Sequence, residues 1–372
     1  MHILHLSAVN NWGGGENHIE NLCQELQISN PEVKNTVFCI KDKAFHKRLQ
    51  KTNISYITSK LGVKFDPRYF IKLGMFCKKH KVDIIHIHDT SAIVLAILAD
   101  KFFNLPPFIF SKKTSFPIKD RKKTLFKYNY PKIKKILCVS DETKNVTARA
   151  IEDKSKLITI YHGTNLHTKS TKTEFLLREH FNIPSDKTII GNIANHIRAK
   201  HLDTWVDVVD ELINHRKRED FFFIQIGTFT ERTEDLLNRV NQLNLKDHMI
   251  FMGYTPNASN FIPQFDMTLI TSQSEGIPQV IYESFYHKTP VISTDVGGIP
   301  EIIEDDVNGL LSPMHDPKSL SDHILKLSAD PELKQQFIEI SHMKLLENYT
   351  TTNMAQQTLK VYRQIVKSKD VK

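Results

Sequence analysis

The chain has 372 residues, of which 40% are hydrophobic and 25% charged, the balance of a folded globular protein and not of a disordered or fibrous one. That length suffices for two α/β domains, and the formal charge of +8 points to anionic partners or surfaces. Four scattered cysteines (Cys23, Cys39, Cys77, Cys138) argue against a disulfide framework, and the longest apolar run, residues 92–99, is too short to span a bilayer.

Strand-like segments are expected at 3–7, 36–40, 54–57, 83–88, 107–111, 136–139 and 157–161, with helical patterns at 20–28, 69–79, 92–103 and 142–151 between them. The first strand starts so early that no room is left for a signal peptide, and a cytoplasmic location is expected. Alternation of this kind makes a doubly wound parallel sheet. A polar stretch, 165–172, reads as an interdomain linker. The pattern then restarts, with strands at 188–194, 221–227, 249–253, 267–271 and 291–294 and helices at 203–215, 233–244, 278–287, 317–327 and 332–346. The fold class is therefore α/β, with two Rossmann-like domains expected at 1–168 and 169–350.

Chemistry-bearing residues cluster after the strands. Gly13-Gly14-Gly15-Glu16 follows the first strand and offers backbone donors. It is not a dinucleotide fingerprint, because His18 stands where the last glycine would be. His86 and His88 end the fourth strand on one side of it; a zinc pair would need a third ligand, and none is evident. Residues 112–135 carry ten Lys or Arg, among them Lys112, Lys113, Arg121, Lys122, Lys123 and Lys127, against the single acid Asp120. Phe116, Phe126, Tyr128 and Tyr130 are interleaved, so a solvated face, a nucleic-acid groove and an anionic membrane surface all compete. Gly163 sits in a turn at the end of the first half, and Asn195, Arg198 and Lys200 lie on the loop after the strand at 188–194.

Ser274-Glu275-Gly276-Ile277-Pro278-Gln279 joins a strand to a short helix, with Pro278 expected at its first position and Glu283 one turn beyond Gln279. Ligands of open parallel sheets bind beyond the carboxyl ends of the strands, where Glu275 and Gly276 fall. The free N–H groups of a helix start suit a phosphate, and carboxylates accept hydrogen bonds from sugar diols.

Ser274-Glu275-Gly276-Ile277-Pro278, then Glu283, then 289–301 and Asn308-Gly309-Leu310-Leu311 closely resemble the C-terminal signature of glycosyltransferase family 4, retaining transferases of the GT-B fold. The resemblance implies two Rossmann-like domains facing a cleft, the first binding the acceptor and the second the nucleotide sugar. It also implies a final helix, 351–372, crossing back to the first domain. It implies that His88 faces the sugar, that Gly14 and Gly15 lie near the donor phosphates, that Glu275 positions the donor sugar and that Glu283 holds the ribose. Lys200 matches the family lysine that binds the diphosphate. The family arginine is replaced by Asn195, and Arg198 is expected to reach the phosphates instead. The expected reaction moves a hexose-type sugar from a nucleoside diphosphate donor, UDP favoured over GDP, to a hydroxyl of a cell-envelope glycan or lipid-linked acceptor. No metal or other cofactor and no nucleic-acid partner is expected; the basic segment is expected to rest peripherally on an anionic membrane. The alternative is an epimerase or phosphorylase on the same fold, without acceptor transfer.

Overall fold

A computed structural model describes residues 1–63, 66–166 and 174–370, with side chains to 368. The linker expected at 165–172 falls largely outside the described residues. The chain divides into two compact units, Met1–Asn165 with Thr350–Lys372, and Leu166–Tyr349.

The first unit is built on seven parallel strands: β1 (His2–Leu6), β2 (Lys34–Ile40), β3 (Tyr56–Ser59), β4 (Ile84–Ile87), β5 (Phe108–Lys112), β6 (Ile133–Cys138) and β7 (Leu157–Thr159). Their order is β3-β2-β1-β4-β5-β6-β7. The central strands read as continuous apolar runs because helices cover both faces of a parallel sheet. Alternate residues serve the two faces. Leu4, Leu6, Ile85 and Ile87 pack on Tyr69 and Leu73 of the Pro67–His80 helix and on Ile93 and Ala96 of the Thr90–Phe103 helix. Ile3, Ile84 and Ile109 meet Leu22 and Leu26 of the Gly14–Ser29 helix, and also Met354, Leu359 and Tyr362 of the Thr351–Asp370 helix. That final helix is tied down at its start, where Thr351 and Thr352 each donate a 2.9 Å hydrogen bond to the Glu25 carboxylate.

The second unit repeats the plan with β8 (Thr188–Ile193), β9 (Phe221–Ile226), β10 (Met249–Phe251), β11 (Met267–Ile270), β12 (Val291–Thr294) and β13 (Leu310–Ser312), ordered β10-β9-β8-β11-β12-β13. Its core gathers Ile190, Phe223, Leu269 and Ile292 from the strands with Trp205, Val209, Leu320 and Ile324 from the helices. Among the described α-helices and strands, four have no counterpart in the periodicity: the Ala44–Leu49, Lys122–Tyr128 and Leu177–His180 helices and β13, each too short to display a full repeat.

In both sheets the order reverses once, between β1 and β4 and between β8 and β11. Crossover connections leave the strands in opposite directions there, opening a crevice at the carboxyl ends of the strands. The candidate residues lie beyond those ends.

Candidate functional site

In the second unit the crevice is flanked by the segments after β8 and β11. Lys200 ends the short turn Arg198–Lys200, and its Nζ lies 2.5 Å from Glu275 Oε1. Ser272 Oγ donates to the same carboxylate oxygen at 2.6 Å. Both charged side chains are largely withdrawn from solvent, at 20% and 11% exposure, so the pair is more strongly coupled than a surface ion pair. The helix after Glu275 spans Gln279–Tyr286. Pro278 is its cap and not its first residue: ψ of 133° keeps it extended, so the first helical N–H is that of Gln279. Val280, Ile281 and Phe285 are buried, while Gln279 and Glu283 on another face are half-buried. Gly276 and Ile277 are buried in the turn, where the Gly276 carbonyl accepts from Gly298 N–H at 2.8 Å.

Asn195 and Arg198 are both exposed. Asn195 Oδ1 accepts from Thr228 N–H at 3.0 Å, fastening the loop after β8 to that after β9. Arg198 lines a cavity of about 300 Å³ with His196, His201, Arg232, Asp235 and Gln273. Neither Lys200 nor Glu275 is among the residues lining it.

In the first unit Gly13 is the extended cap of the Gly14–Ser29 helix, so Gly14 and Gly15 supply its first N–H groups. Lys113, just past β5, donates from Nζ to the Gly15 carbonyl at 2.8 Å. Burial brings the Lys113 ammonium down to about 8, with Glu16 and Asp89 pulling the other way. Asp89 caps the Thr90–Phe103 helix through Ser91 and Ala92 N–H and also accepts from Ala8 N–H at 2.7 Å, which binds the β1 and β4 ends together. Lys112 is 5% exposed and donates to the Thr114 and Phe116 carbonyls. Lys112 and Lys113 therefore do not belong to the exposed basic segment. Lys112 is turned inward at the end of β5 and Lys113 by the segment just after it, and their ammonium groups are spent on backbone carbonyls. Arg121, Lys122 and Lys123 are exposed, Lys127 is half-buried, and Phe116 and Phe126 are exposed beside them.

His88 is 6% exposed. Its ring lies 4.0 Å from that of His86 and 5.4 Å from that of His5, centroid to centroid. Nitrogens of His5, His86 and His88 all lie within 4.8 Å of one another, so β1 supplies the third imidazole that the strand end at His86 and His88 lacks. Five of the six ring nitrogens of the set are already engaged in hydrogen bonds. His86 engages Tyr362 Oη at 2.5 Å and Ser111 Oγ at 2.7 Å, and His5 engages His88 and Asn35. Burial first, and the positive charge of Lys113 with it, holds the imidazoles neutral: His5 falls to about 4, and His86 and His88 lie well below the usual range. The same charge opposes a cation at this spot. His18 and His162, 2.7 Å apart between their Nδ1 atoms, extend the imidazole group. Gly163 follows His162. A Cβ there would stand 2.2 Å from the Thr350 carbonyl group, so what approaches this glycine is the chain's own backbone.

Sequence reasoning alone did not mark His5, Asn35, His18 or Ser272. A histidine inside the apolar run of β1 was a usable signal, but its pairing with His86 depends on strand order.

Among known proteins, the family described as "Glycosyltransferase Family 4" matches residues 12–168 and "Glycosyl transferases group 1" matches residues 174–342. N-acetyl-alpha-D-glucosaminyl L-malate synthase of Bacillus anthracis is 23% identical over 232 residues, 62% of this chain; the chain spans about 60% of that relative's length. The Escherichia coli enzyme named UDP-Gal:alpha-D-GlcNAc-diphosphoundecaprenol alpha-1,3-galactosyltransferase is 19% identical over 278 residues, 72% of each chain. The crystal structure of Anabaena HepE in complex with UDP and glucose superimposes with a TM-score of 0.85 at 16% identity, covering 98% of this chain and 100% of that one. With two family matches that between them take in nearly every strand described above, and a solved GT-B neighbour of the same length, the chain belongs to glycosyltransferase family 4, enzymes of the GT-B fold.

Proposed function

We infer that the protein is a retaining transferase that moves a hexose-type sugar from a nucleoside diphosphate donor to a hydroxyl of a cell-envelope glycan or lipid-linked acceptor. The observation that carries this reading is the Lys200–Glu275 pair at the β8/β11 switch point, with the Gln279–Tyr286 helix starting four residues after Glu275. Departure of the nucleotide builds negative charge on its β-phosphate. Lys200 and the N–H groups at Gln279 are suited to neutralise it, at a site half withdrawn from water where such groups act strongly. Glu275, oriented by Ser272 and Lys200, would accept hydrogen bonds from the donor sugar, and Glu283 from the ribose. No carboxylate is assigned as a nucleophile, so the departing phosphate itself would help to deprotonate the acceptor. The protein's own cations would carry the leaving-group charge, with no metal in the step.

A UDP-sugar is the favoured donor, in keeping with UDP in the HepE structure and in the name of the Escherichia coli relative. That relative's name also includes a diphosphoundecaprenol acceptor. A lipid-linked acceptor suits the exposed cations at Arg121, Lys122 and Lys123 beside Phe116 and Phe126, which we assign to an anionic membrane surface on its cytoplasmic side. Among the described residues no helix is long and apolar enough to cross a membrane. The test is turnover of UDP- and GDP-sugars with and without glycan acceptors, the product read by NMR. An acceptor-dependent product with the donor's anomeric configuration supports the reading. Conversion of the donor without an acceptor, to an epimer or a sugar phosphate, would place the protein among epimerases or phosphorylases.

A further inference from the structure

His88 Nδ1 is buried and, among the described residues, has no hydrogen-bond partner. An orphaned polar atom on a side chain that is 6% exposed is costly unless a ligand completes it. What that ligand must offer follows from the hydrogen bonds behind the ring.

The chain of bonds begins at a fixed point. Asn35 Nδ2 donates to the Val33 carbonyl at 3.0 Å, so its amide cannot be turned over without setting two oxygens against each other. Asn35 Oδ1 is therefore the atom 3.1 Å from His5 Nε2, and it can only accept, so His5 carries its proton on Nε2. Burial keeps His5 neutral. His5 Nδ1 is then a lone pair, and it lies 3.1 Å from His88 Nε2, which has to donate. With its single proton on Nε2, His88 has a lone pair at Nδ1.

We propose that Asn35 and His5 are positioning residues that lock His88 in the Nε2–H tautomer, so that Nδ1 accepts a hydrogen bond from a sugar hydroxyl. The ligand class rests on the glycosyltransferase reading; the tautomer rests on the hydrogen-bond geometry, with both rings kept neutral by burial. A lone pair repels phosphate and carboxylate oxygens, so this atom selects a hydroxyl donor over an anion even though Lys113 is close by. The groups facing the imidazole are His5, His86, His18 and Lys113. None of them supplies a proton to Nδ1 in the described structure.

The experiment is two-bond ¹H–¹⁵N NMR of the full chain with ¹⁵N-histidine, which separates a protonated from a bare ring nitrogen. The wild-type protein is expected to show His88 Nδ1 bare and Nε2 protonated. In Asn35→Leu, which removes the acceptor behind His5, the His88 signals should move toward a mixture of tautomers while those of His162 stay in place. UDP-glucose should shift the Nδ1 resonance and UDP alone should not. Turnover should fall about tenfold in Asn35→Leu, and Asn35→Leu should cost nothing further in a His88→Ala background. A protonated Nδ1 in the wild type, stoichiometric zinc bound by the cluster, or an unchanged tautomer in Asn35→Leu would overturn the lock, whatever reaction the protein catalyses. A bare Nδ1 that responds equally to UDP and UDP-glucose would overturn the hydroxyl assignment. A transfer reaction that fails on every sugar nucleotide, with the tautomer as described, would instead count against the glycosyltransferase reading.

Discussion

Lys200, Glu275 and Ser272 form a three-membered group whose geometry separates two roles for the carboxylates. Glu275 is clamped by a cation and a hydroxyl and sits at the strand end, where the reacting sugar would be held. Glu283 stands one turn into the helix. Glu275→Ala is accordingly expected to reduce kcat, and Glu283→Ala to raise KM for the donor by about 1–3 kcal/mol of lost hydrogen bonding. Steady-state kinetics with a UDP-sugar will show this, and near-wild-type values for both would refute the assignment. Arg198 poses a separate question. If it reaches the diphosphate, Arg198→Ala should weaken UDP more than uridine; equal weakening, as expected for a residue confined to the cavity it shares with Arg232, would retire it from the phosphate site. The glutamates and Lys200 were legible in the sequence because a motif fixes their spacing on a strand, a turn and a helix. The partners of His88 were not. His5 and Asn35 come from β1 and β2, and only the strand register brings them together.

At the scale of elements, nearly every strand of both sheets could be read from apolar runs between polar turns, because parallel strands are buried on both faces. Position within a strand was harder. The run of cations over residues 112–135 reads as one surface, but it crosses a strand end, a loop, a seven-residue helix and β6, and two of its lysines turn inward. What remains outside, Arg121, Lys122 and Lys123 with Phe116 and Phe126, is still enough for reversible attraction at roughly 1 kcal/mol per cation near an anionic surface. Charge reversal at Arg121, Lys122 and Lys123 is expected to release the protein from phosphatidylserine vesicles at low salt while leaving UDP affinity unchanged. Equal sedimentation with neutral and anionic vesicles would make the segment an ordinary solvated face.

The molecule as a whole carries an asymmetry that composition hides. His5, His18, His86, His88 and His162 are all buried in the first unit, and burial depresses each of them. A histidine whose folded pKa is depressed leaves the unfolded chain binding more protons below pH 6.5, so stability is complete above that value and falls as the pH drops toward the folded pKa. For His5, depressed to about 4, the full loss is on the order of 3 kcal/mol. Each unit holds one tryptophan, Trp12 in the first and the fully buried Trp205 in the second. Trp205→Phe and Trp12→Phe therefore report the units separately. Between about pH 7 and about pH 5 the urea midpoint read by Trp12 should fall more than that read by Trp205. A Trp12 midpoint that does not move with pH would contradict the buried neutral histidines.

The central claim is that the second unit binds a nucleoside diphosphate through Lys200, and calorimetric titration of UDP and of uridine into the wild-type protein and Lys200→Ala tests it most directly. Removing a half-buried cation from a diphosphate should cost about 1.5–3 kcal/mol, so UDP affinity should fall roughly 10- to 150-fold while uridine affinity changes little. Loss of the same factor for UDP and uridine, or UDP binding untouched by the substitution, would contradict it.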